Sequence, residues 1–193
     1  FLNALTEKLP ICTLAAPRSH SVTFIRDSGL IDQLKHLEKE GIENLVVIAP
    51  NDHELPSING VIYYKTPNVD ILFTLYANFI HTGTPVANEI DSSAVIHPSA
   101  VIGAEGISVA NFKNERVFFR HHGNVKIGED VYVGANAVVQ CGRIDATIIG
   151  ARTIISSLCV VGHNTVIGEN CTMAIQAGIS GTARIGDRCW IGI

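Results

Sequence analysis

The chain has 193 residues, of which 47% are hydrophobic, and it carries a formal net charge of −4 at pH 7. This length and apolar content suffice for a packed core in one or two domains. Because it has no basic cluster, no apolar run of roughly 20 residues and no secretory signal pattern, the sequence argues against a nucleic-acid partner and a membrane segment, and favours a cytoplasmic location.

Residues 1–88 are predicted to form a small α/β module. Its elements in chain order are a strand at Val22–Ile25, a helix that carries Leu30, Ile31, Leu34 and Leu37 and stops at Gly41, strands at Leu45–Ala49 and Val61–Tyr64, and a helix that begins near Pro67 and ends before Gly83. No GxGxxG motif follows either of the later strands, so a dinucleotide-binding fold has no support.

From residue 89 the sequence changes to a period of six. Ile or Val recurs at 90, 96 and 102, at 127, 133 and 139, and then without a break from 149 to 191, with Met173 as one member of the last series. A small or β-branched residue follows four positions later in most units. The whole pattern is a hexapeptide repeat.

Hexapeptide repeats of this kind are typical of the left-handed parallel β-helix. Each unit forms a short strand and a turn, and three units close a triangular coil that buries its aliphatic residues by stacking on the next coil. Residues eighteen apart are therefore predicted to lie one above the other. The predicted second domain spans 89–193, and the segment 103–124, which breaks the period, is predicted to project as a loop.

Five cysteines, Cys12, Cys141, Cys159, Cys171 and Cys189, show neither CxxC pairing nor the spacing of zinc ligands. They are predicted to be buried thiols, and no metal site is predicted. The chain opens on Phe1 and ends inside a repeat at Ile193, so we expect flanking residues in the full protein.

His163 occupies the third position of the unit that begins at Val161, where its side chain is predicted to point outward from a turn. Eighteen residues further on is Gly181, whose backbone is then predicted to lie over the imidazole. A general base beside an accessible N–H is the minimum equipment for acyl transfer, because the nucleophile must lose a proton and the carbonyl oxygen must be stabilised. Polar residues are also tolerated at such turns without any chemistry, so spacing alone leaves both interpretations open.

Residues 90–192 resemble the UDP-3-O-acylglucosamine N-acyltransferase family of lipid A biosynthesis and its relatives that act on other nucleotide-linked amino sugars. The matching segments are "IHPSAVIG" (96–103), "GAEGISVAN" (103–111), "GNVKIGEDVYVGANAVV" (123–139), "DATIIG" (145–150), "VVGHNTVIG" (160–168) and "QAGISGTARIG" (176–186), of which the last two are the most specific. The N-terminal half is similar in "HSVTFIRD" (20–27) and "VIYYKTPNVDILFTLYANFI" (61–80), where the family has its nucleotide-binding module.

The resemblance implies a homotrimer of left-handed β-helices with active sites between subunits. It implies that His163 is the general base, that the Gly181 N–H is the oxyanion donor, and that Asn164 and Gln176 contact substrate. The implied reaction is attack by the amine of a nucleotide-linked amino sugar on an acyl thioester of acyl carrier protein or coenzyme A, with no bound cofactor. Such a reaction would belong to lipid A or surface-glycan biosynthesis.

In the family the segment that interrupts the repeat lines the cleft, so the resemblance implies contacts with substrate or acyl chain in this segment. The candidates are Ile107, Phe112, Phe118, Phe119, His121 and His122. The aromatic members of this set are equally well explained as packing residues of a folded loop.

Three positions depart from the family pattern. Phe24 and Asp27 are candidates for nucleotide contact, but Asp27 replaces an asparagine and Leu30 a tyrosine, so uridine recognition through these groups is not predicted. Ser156 stands where the lipid A enzymes commonly have an aspartate, so the His163 ring is predicted to be oriented by a backbone carbonyl. These departures favour a relative that modifies an O-antigen or other surface-glycan amino sugar.

Three other interpretations remain open. The first is an acetyltransferase that uses acetyl-coenzyme A on the same scaffold. The second, a zinc enzyme of the carbonic-anhydrase type, needs three histidines, whereas His121 and His122 are adjacent, point apart on a strand, and leave His163 alone. The third is a non-catalytic nucleotide-sugar-binding protein, which the substitution His163→Ala would distinguish from an enzyme.

Overall fold

The computed structural model describes residues 7–81 and 86–192, without the side chain of Phe112. The chain divides into two compact units, Phe1–Thr82 with Ser108–Phe119, and Gly83–Ile107 with Arg120–Ile193. The segment Ser108–Phe119, which the sequence placed in a loop of the second domain, thus groups with the first unit.

The strands are short and most of them belong to the hexapeptide repeat. In chain order they are β1 (Ser21–Phe24), β2 (Leu45–Pro50), β3 (Val61–Thr66), β4 (Glu89–Ile90), β5 (Val95–Ile96), β6 (Val101–Ala104), β7 (Val109–Phe112), β8 (Glu115–Phe118), β9 (Val125–Ile127), β10 (Tyr132–Val133), β11 (Val138–Gln140), β12 (Thr147–Ile149), β13 (Ile154–Ile155), β14 (Val160–Val161), β15 (Val166–Ile167), β16 (Thr172–Met173), β17 (Gly178–Ile179), β18 (Arg184–Ile185) and β19 (Trp190–Ile191).

The first unit contains a three-stranded parallel sheet of order β1-β2-β3. The central strand β2 is apolar along its length and buried, as expected for a parallel strand covered on both faces. Helix α2 (Val69–Ile80) follows β3 and buries Phe73 and Tyr76. The three strands and the second helix predicted for this region are confirmed.

The first predicted helix is less regular than its spacing indicated. It consists of a 3₁₀ turn at Ser28–Leu30, a single α-helical turn α1 (Ile31–Leu34), and a second 3₁₀ stretch at Lys35–Lys39. Leu34 and Leu37 are its buried residues. Because they are three positions apart, the tighter 3₁₀ winding brings both onto the core face.

The second unit is a left-handed parallel β-helix, as predicted. Its three faces are sheets of order β19-β16-β13-β10-β5, β17-β14-β11-β6 and β18-β15-β12-β9-β4, and every pairing within them is parallel. After residue 147 the register follows one coil of eighteen residues, so that Val161 pairs with Ile179 (179 − 161 = 18). The predicted vertical stacking is confirmed in this region.

The core of the β-helix consists of the repeated aliphatic residues and the small residues beside them. Val133, Val139, Ile155, Val161 and Met173 are fully buried. The turns between strands place one residue per unit in the left-handed region, with φ of 58° at Asn164, 56° at Asn170 and 62° at Gln176. Asparagine tolerates this conformation better than most residues, which explains its frequency at these corners.

Two insertions break the regular coil, and both follow strands of the same sheet. Val139 pairs with Val161, 22 residues later (161 − 139), and Ile102 pairs with Val139, 37 residues later (139 − 102). The extra residues therefore lie after β11 and after β6. Part of the longer insertion is not an irregular loop but the antiparallel hairpin β7–β8.

All five cysteines are free, and four of them are buried, with Cys189 half-buried. The prediction of buried thiols therefore holds for Cys12, Cys141, Cys159 and Cys171. In the part of the chain that the structure describes, no helix has both the length and the apolar character needed to cross a membrane.

Candidate active site

His163 lies at the turn after β14, and its ring rests on the backbone of Gly181, at the turn after β17. A Cβ atom placed on Gly181 would lie 2.6 Å from Nε2 of His163. The imidazole thus occupies the space that a side chain at Gly181 would need. Strands β14 and β17 pair in register, so this contact follows directly from the pitch of the coil. The predicted stacking of these two residues is confirmed.

The N–H of Gly181 lies close to the backbone of Gly162. A Cβ atom placed on Gly162 would lie 2.4 Å from the Gly181 nitrogen, which explains why position 162 needs glycine. The next amide, of Thr182, donates to the carbonyl of His163 at 2.7 Å. By contrast, the Gly181 N–H donates a hydrogen bond to no protein acceptor among the described residues.

The side chain of Asn164 orients the His163 ring. Oδ1 of Asn164 accepts a hydrogen bond from the backbone N–H of Arg143 at 2.8 Å, and the same oxygen lies 3.2 Å from Nδ1 of His163. Because an oxygen only accepts, Nδ1 must carry the proton in this contact. Nε2, the nitrogen nearest to Gly181, is then the unprotonated one and has the lone pair of a base.

Further hydrogen bonds hold Asn164 in place. Its Nδ2 donates to the carbonyl of Asp145 at 3.0 Å, and its backbone N–H donates to the hydroxyl of Thr147 at 2.8 Å. Asp145 belongs to the short insertion after β11, so this insertion anchors the residue that orients His163. The predicted orientation of the ring by a backbone carbonyl was wrong, because a side-chain amide performs that role.

A second imidazole lies beside His163. The rings of His121 and His163 are perpendicular, with an interplanar angle of 86° and centroids 5.1 Å apart. Nδ1 of His121 lies 3.3 Å from the backbone nitrogen of Gly106 and 3.3 Å from the carbonyl oxygen of Cys141. The prediction that His163 stands alone was therefore wrong.

Gly106 lies in close contact with this pair of rings. A Cβ atom placed on it would lie 2.8 Å from Cε1 of His121, 2.9 Å from Oε1 of Gln140 and 3.1 Å from Cδ2 of His163. The same Gln140 oxygen accepts the backbone N–H of His163 at 3.2 Å. The longer insertion thus reaches His163 through Gly106, and strand β11 reaches it through Gln140.

The electrostatic environment of His121 favours its neutral form. Burial, first of all, holds the pKa of His121 below its ordinary value, and the charges of His163 and Arg143 act in the same direction. The hydrogen bond to the Cys141 carbonyl and the carboxylate of Glu105 oppose this shift of the pKa. At neutral pH the ring is therefore uncharged.

Sequence reasoning missed Gly106 and Gln140 and did not connect His121 with His163. One signal could have found this cluster. The repeat is interrupted twice, after β6 and after β11, and both strands belong to the same sheet as β14, the strand that precedes His163. Insertions that gather at one corner of a regular solenoid are typical of a functional site.

Ile107, His122 and Gln176 were also predicted to contact substrate. The structure places the first two beside the His163 site and the third away from it. Ile107 is 81% exposed and follows Gly106 directly. His122 donates its backbone N–H to the carbonyl of Arg143 at 3.0 Å. Gln176 is twelve residues beyond Asn164, so it lies at another corner of the coil, where its N–H donates to Ser157.

The candidates for nucleotide contact in the first unit are engaged within that unit. The Phe24 ring lies 4.3 Å from the ring of Phe73, centroid to centroid, and 5.2 Å from the guanidinium of Arg26. The Asp27 carboxylate accepts from the N–H of Gly29 and caps the 3₁₀ turn. Both predicted contacts with nucleotide remain predictions.

The aromatic candidates of the interrupting segment also belong to the first unit. Phe119 is only 3% exposed, and its ring stacks on Phe73 at 6.0 Å. Phe118 is exposed, and the side chain of Phe112 lies outside the described residues. For Phe119 the structure supports the packing interpretation.

No group of three or more histidine, cysteine, aspartate or glutamate side chains in the described ranges 7–81 and 86–192 could hold a metal ion. His121 and His163 form a pair of imidazoles rather than part of such a group. The contacts of His163 give the site an imidazole base beside a backbone N–H donor, which are groups used in acid–base chemistry.

The chain is similar in sequence to several known proteins, and the three described here carry the same name. The UDP-3-O-acylglucosamine N-acyltransferase of Methylococcus capsulatus is 37% identical over 101 residues, that of Delftia acidovorans 36% over 96, and that of Bordetella pertussis 35% over 126. The chain is similar to UDP-3-O-acylglucosamine N-acyltransferases. No protein-family model matches it.

The similarity to the UDP-3-O-acylglucosamine N-acyltransferases is partial in both directions. The matched segments cover 52%, 50% and 62% of this chain for the three relatives in that order. They cover 28%, 29% and 31% of the relatives' own length. The chain thus matches less than a third of each of these N-acyltransferases.

Proposed function

We propose that the protein is an acyltransferase that moves an acyl group from a thioester to the amine of a nucleotide-linked amino sugar. One observation carries the proposal. Nε2 of His163 is unprotonated when Nδ1 donates to Asn164, and it faces the backbone of Gly181. The relatives are named for N-acylation of a UDP-linked acylglucosamine, and this name supports the same substrate class.

In the proposed reaction the amine nitrogen attacks the carbonyl carbon of the thioester. His163 Nε2 accepts a proton from the amine as the new C–N bond forms. The carbonyl oxygen becomes negatively charged, and the Gly181 N–H, which has no protein acceptor among the described residues, donates a hydrogen bond to it. When the C–S bond breaks, the imidazolium returns the proton to the thiolate, so the products are an amide and a free thiol.

Asn164 has a specific task in this scheme. Its Oδ1 accepts the Nδ1 proton of His163, and the Arg143 N–H prevents the amide from flipping, because the nitrogen end could not accept from that donor. The ring therefore keeps the tautomer that exposes a basic Nε2. The contact also stabilises the imidazolium that forms during the reaction, since Nδ1–H remains bonded.

Several finer features belong to the same proposal. We infer a homotrimer with sites between protomers, a cytoplasmic location, acyl carrier protein or coenzyme A as the thioester carrier, no bound cofactor, and a place in lipid A or surface-glycan biosynthesis. Tyr132 and Ile154 pair on one face of the β-helix and both are exposed, which supports contact with a second copy. Phe24, Asp27, Gln176, Ile107 and His122 are the proposed substrate contacts outside the His163 cluster.

The experiment that tests the proposal follows release of free thiol. The protein is incubated with a panel of nucleotide-linked amino sugars and with acetyl and longer acyl thioesters of coenzyme A and acyl carrier protein. We expect turnover with at least one pair, and a loss of about 10²–10⁴-fold in His163→Ala, the range for removal of a general base. His97→Ala is the matched control, because His97 is an exposed histidine of the same β-helix, hydrogen-bonded to Ser99.

The acyl preference in this panel separates an acyltransferase from an acetyltransferase that uses acetyl-coenzyme A. Binding of a nucleotide sugar without thiol release would indicate a non-catalytic binding protein instead. Unchanged turnover in His163→Ala, with an unchanged circular dichroism spectrum, would overturn the assignment of the base.

A further inference from the structure

His121 is the buried histidine beside His163, and its Nδ1 faces two different backbone groups. The N–H of Gly106 lies 3.3 Å away as a donor, and the carbonyl oxygen of Cys141 lies 3.3 Å away as an acceptor. A ring nitrogen serves only one of these groups at a time. When Nδ1 is unprotonated it accepts from Gly106, and when it carries a proton it donates to Cys141.

The bond to Gly106 has consequences for His163. The Gly106 backbone lies between His121, Gln140 and His163, in a space where a Cβ atom would approach each of them to 3.1 Å or less. The Gln140 oxygen also accepts the backbone N–H of His163. A shift of Gly106 would therefore alter the packing on one side of the His163 ring. Nδ1 of His163 would still be held by Asn164.

We propose that His121 is a positioning residue for His163, and that neutral His121 holds the Gly106 segment against the His163 ring by accepting the Gly106 N–H. On protonation Nδ1 becomes a donor, turns to the Cys141 carbonyl and releases Gly106. The catalytic consequence rests on the proposed function. The hydrogen-bond exchange itself does not, because it concerns only the groups of this chain.

The charged and titratable groups around His121 set the direction of this exchange with pH. Burial and the neighbouring His163 and Arg143 disfavour a charge on His121, whereas Glu105 favours one. Glu105 also pairs with Arg120 at 3.1 Å, which offsets part of its charge. Because the pKa of His121 is held below its ordinary value, the ring is neutral at neutral pH, and its tautomer with an unprotonated Nδ1 accepts the Gly106 N–H. Acidification protonates Nδ1 and removes this acceptor.

The decisive measurement is amide hydrogen exchange at Gly106 by NMR, corrected for the intrinsic exchange rate at each pH. In the unaltered protein we expect protection of Gly106 to fall by about tenfold or more as His121 is protonated. Constant Gly106 protection through the titration of His121 would overturn the proposal.

Two substitutions separate hydrogen bonding from packing. His121→Phe keeps an aromatic ring but has no acceptor, so Gly106 should lose protection at every pH. His121→Gln offers an amide oxygen that accepts without titrating, so Gly106 should stay protected at every pH. Wild-type protection in the phenylalanine variant would contradict the proposal, and the titration of the unaltered protein decides the matter if that variant does not fold.

His97→Phe is the matched control. Nδ1 of His97 also accepts a backbone N–H, from Ser99 at 3.2 Å, but this residue is exposed and lies on a different coil. We expect no change in the protection of Gly106. A response equal to that of His121→Phe would show that the effect is not specific to the contact with Gly106.

The thiol-release assay adds the catalytic readout. His121→Phe should lower kcat by about tenfold or more, as expected for a misplaced reacting group, and should leave KM close to that of the parent protein. If the amide exchange behaves as expected while no turnover is found in any variant or in the parent protein, the proposed function fails and the role of His121 stands. If turnover is normal in all variants and Gly106 exchange is unaltered, the role of His121 fails alone.

Discussion

The imidazole of His163 occupies the space that a side chain at Gly181 would fill. The two residues are one coil apart, and their strands pair with Val161 opposite Ile179. A single added carbon at Gly181 would meet Nε2 at 2.6 Å, which is closer than any Cβ contact in real structures. Both the position of the ring and access to the Gly181 N–H therefore depend on the absence of one methyl group.

Gly181→Ala is expected to displace the His163 ring and reduce turnover by about 10²-fold, because misplacement of a reacting group by an ångström costs roughly that much. Gly178→Ala is the matched control, since a Cβ atom there would meet nothing within 4 Å. The thiol-release assay and a thermal melt measure both effects. Equal turnover of the two alanine variants would contradict the contact described here.

Asn164→Ala should remove the acceptor for the Nδ1 proton of His163 and leave the tautomer unspecified. We expect turnover to fall by about 10–10²-fold through misorientation of the ring. Asn170→Ala is the control, because Asn170 has nearly the same φ, 56° against 58°. Each variant should lose about 1 kcal/mol of stability through the left-handed backbone, and Asn164→Ala should lose more, because its bonds to Arg143 and Asp145 are also removed. Only Asn164→Ala should lose turnover.

The stability of the protein should depend on the protonation of His121. Because its folded-state pKa is lowered, the unfolded chain binds the proton more readily, and acidification favours unfolding. The stability that neutral His121 contributes is fully present above the pKa of histidine in the unfolded chain, roughly 6.5. It is lost as the pH falls from that value to the lower pKa of His121 in the folded protein. Urea midpoints at pH 8 and pH 5.5 measure it, and His121→Gln should show the smaller difference between the two.

Tyr76→Phe should destabilise the first unit by about 1 kcal/mol, since the buried hydroxyl donates to the carbonyl of Leu9 at 2.7 Å. Burial also raises the pKa of Tyr76 to about 12, so this tyrosine should ionise last in an alkaline absorbance titration. Tyr132→Phe is the control, because Tyr132 is largely exposed on the β-helix. A loss of stability in the control as large as in Tyr76→Phe would argue against the buried hydrogen bond.

The β-helix could be predicted because its signal is repeated. Each unit places an aliphatic residue at the same position, and stacking of successive coils buries the whole series in one core. The fully buried Ile155, Val161 and Met173 bear this out. The strands of the first unit and its second helix were predicted from ordinary spacing. The 3₁₀ winding between Ser28 and Lys39 escaped, because spacings of three and four overlap over so short a segment, and so did the hairpin β7–β8.

The contact between His121 and His163 could not be predicted in the same way. The segment before His121 has no period, so its path back to the coil depends on contacts that no spacing encodes. Asn164 illustrates a second limit. Its position in the turn was evident, but the Arg143 N–H that fixes its amide comes from an insertion of four residues whose course depends on the folded backbone.

The sequence by itself determined the β-helix and the vertical neighbours His163 and Gly181, because a constant period of six residues fixes the pitch of the coil wherever it is unbroken. Only the tertiary structure decided what surrounds the imidazole on its other sides. His121 and Gly106 belong to the longer insertion, and the shorter insertion holds Asn164 through Arg143 and Asp145. Insertions follow no repeat, so packing and hydrogen bonding in the folded chain determine where they lie.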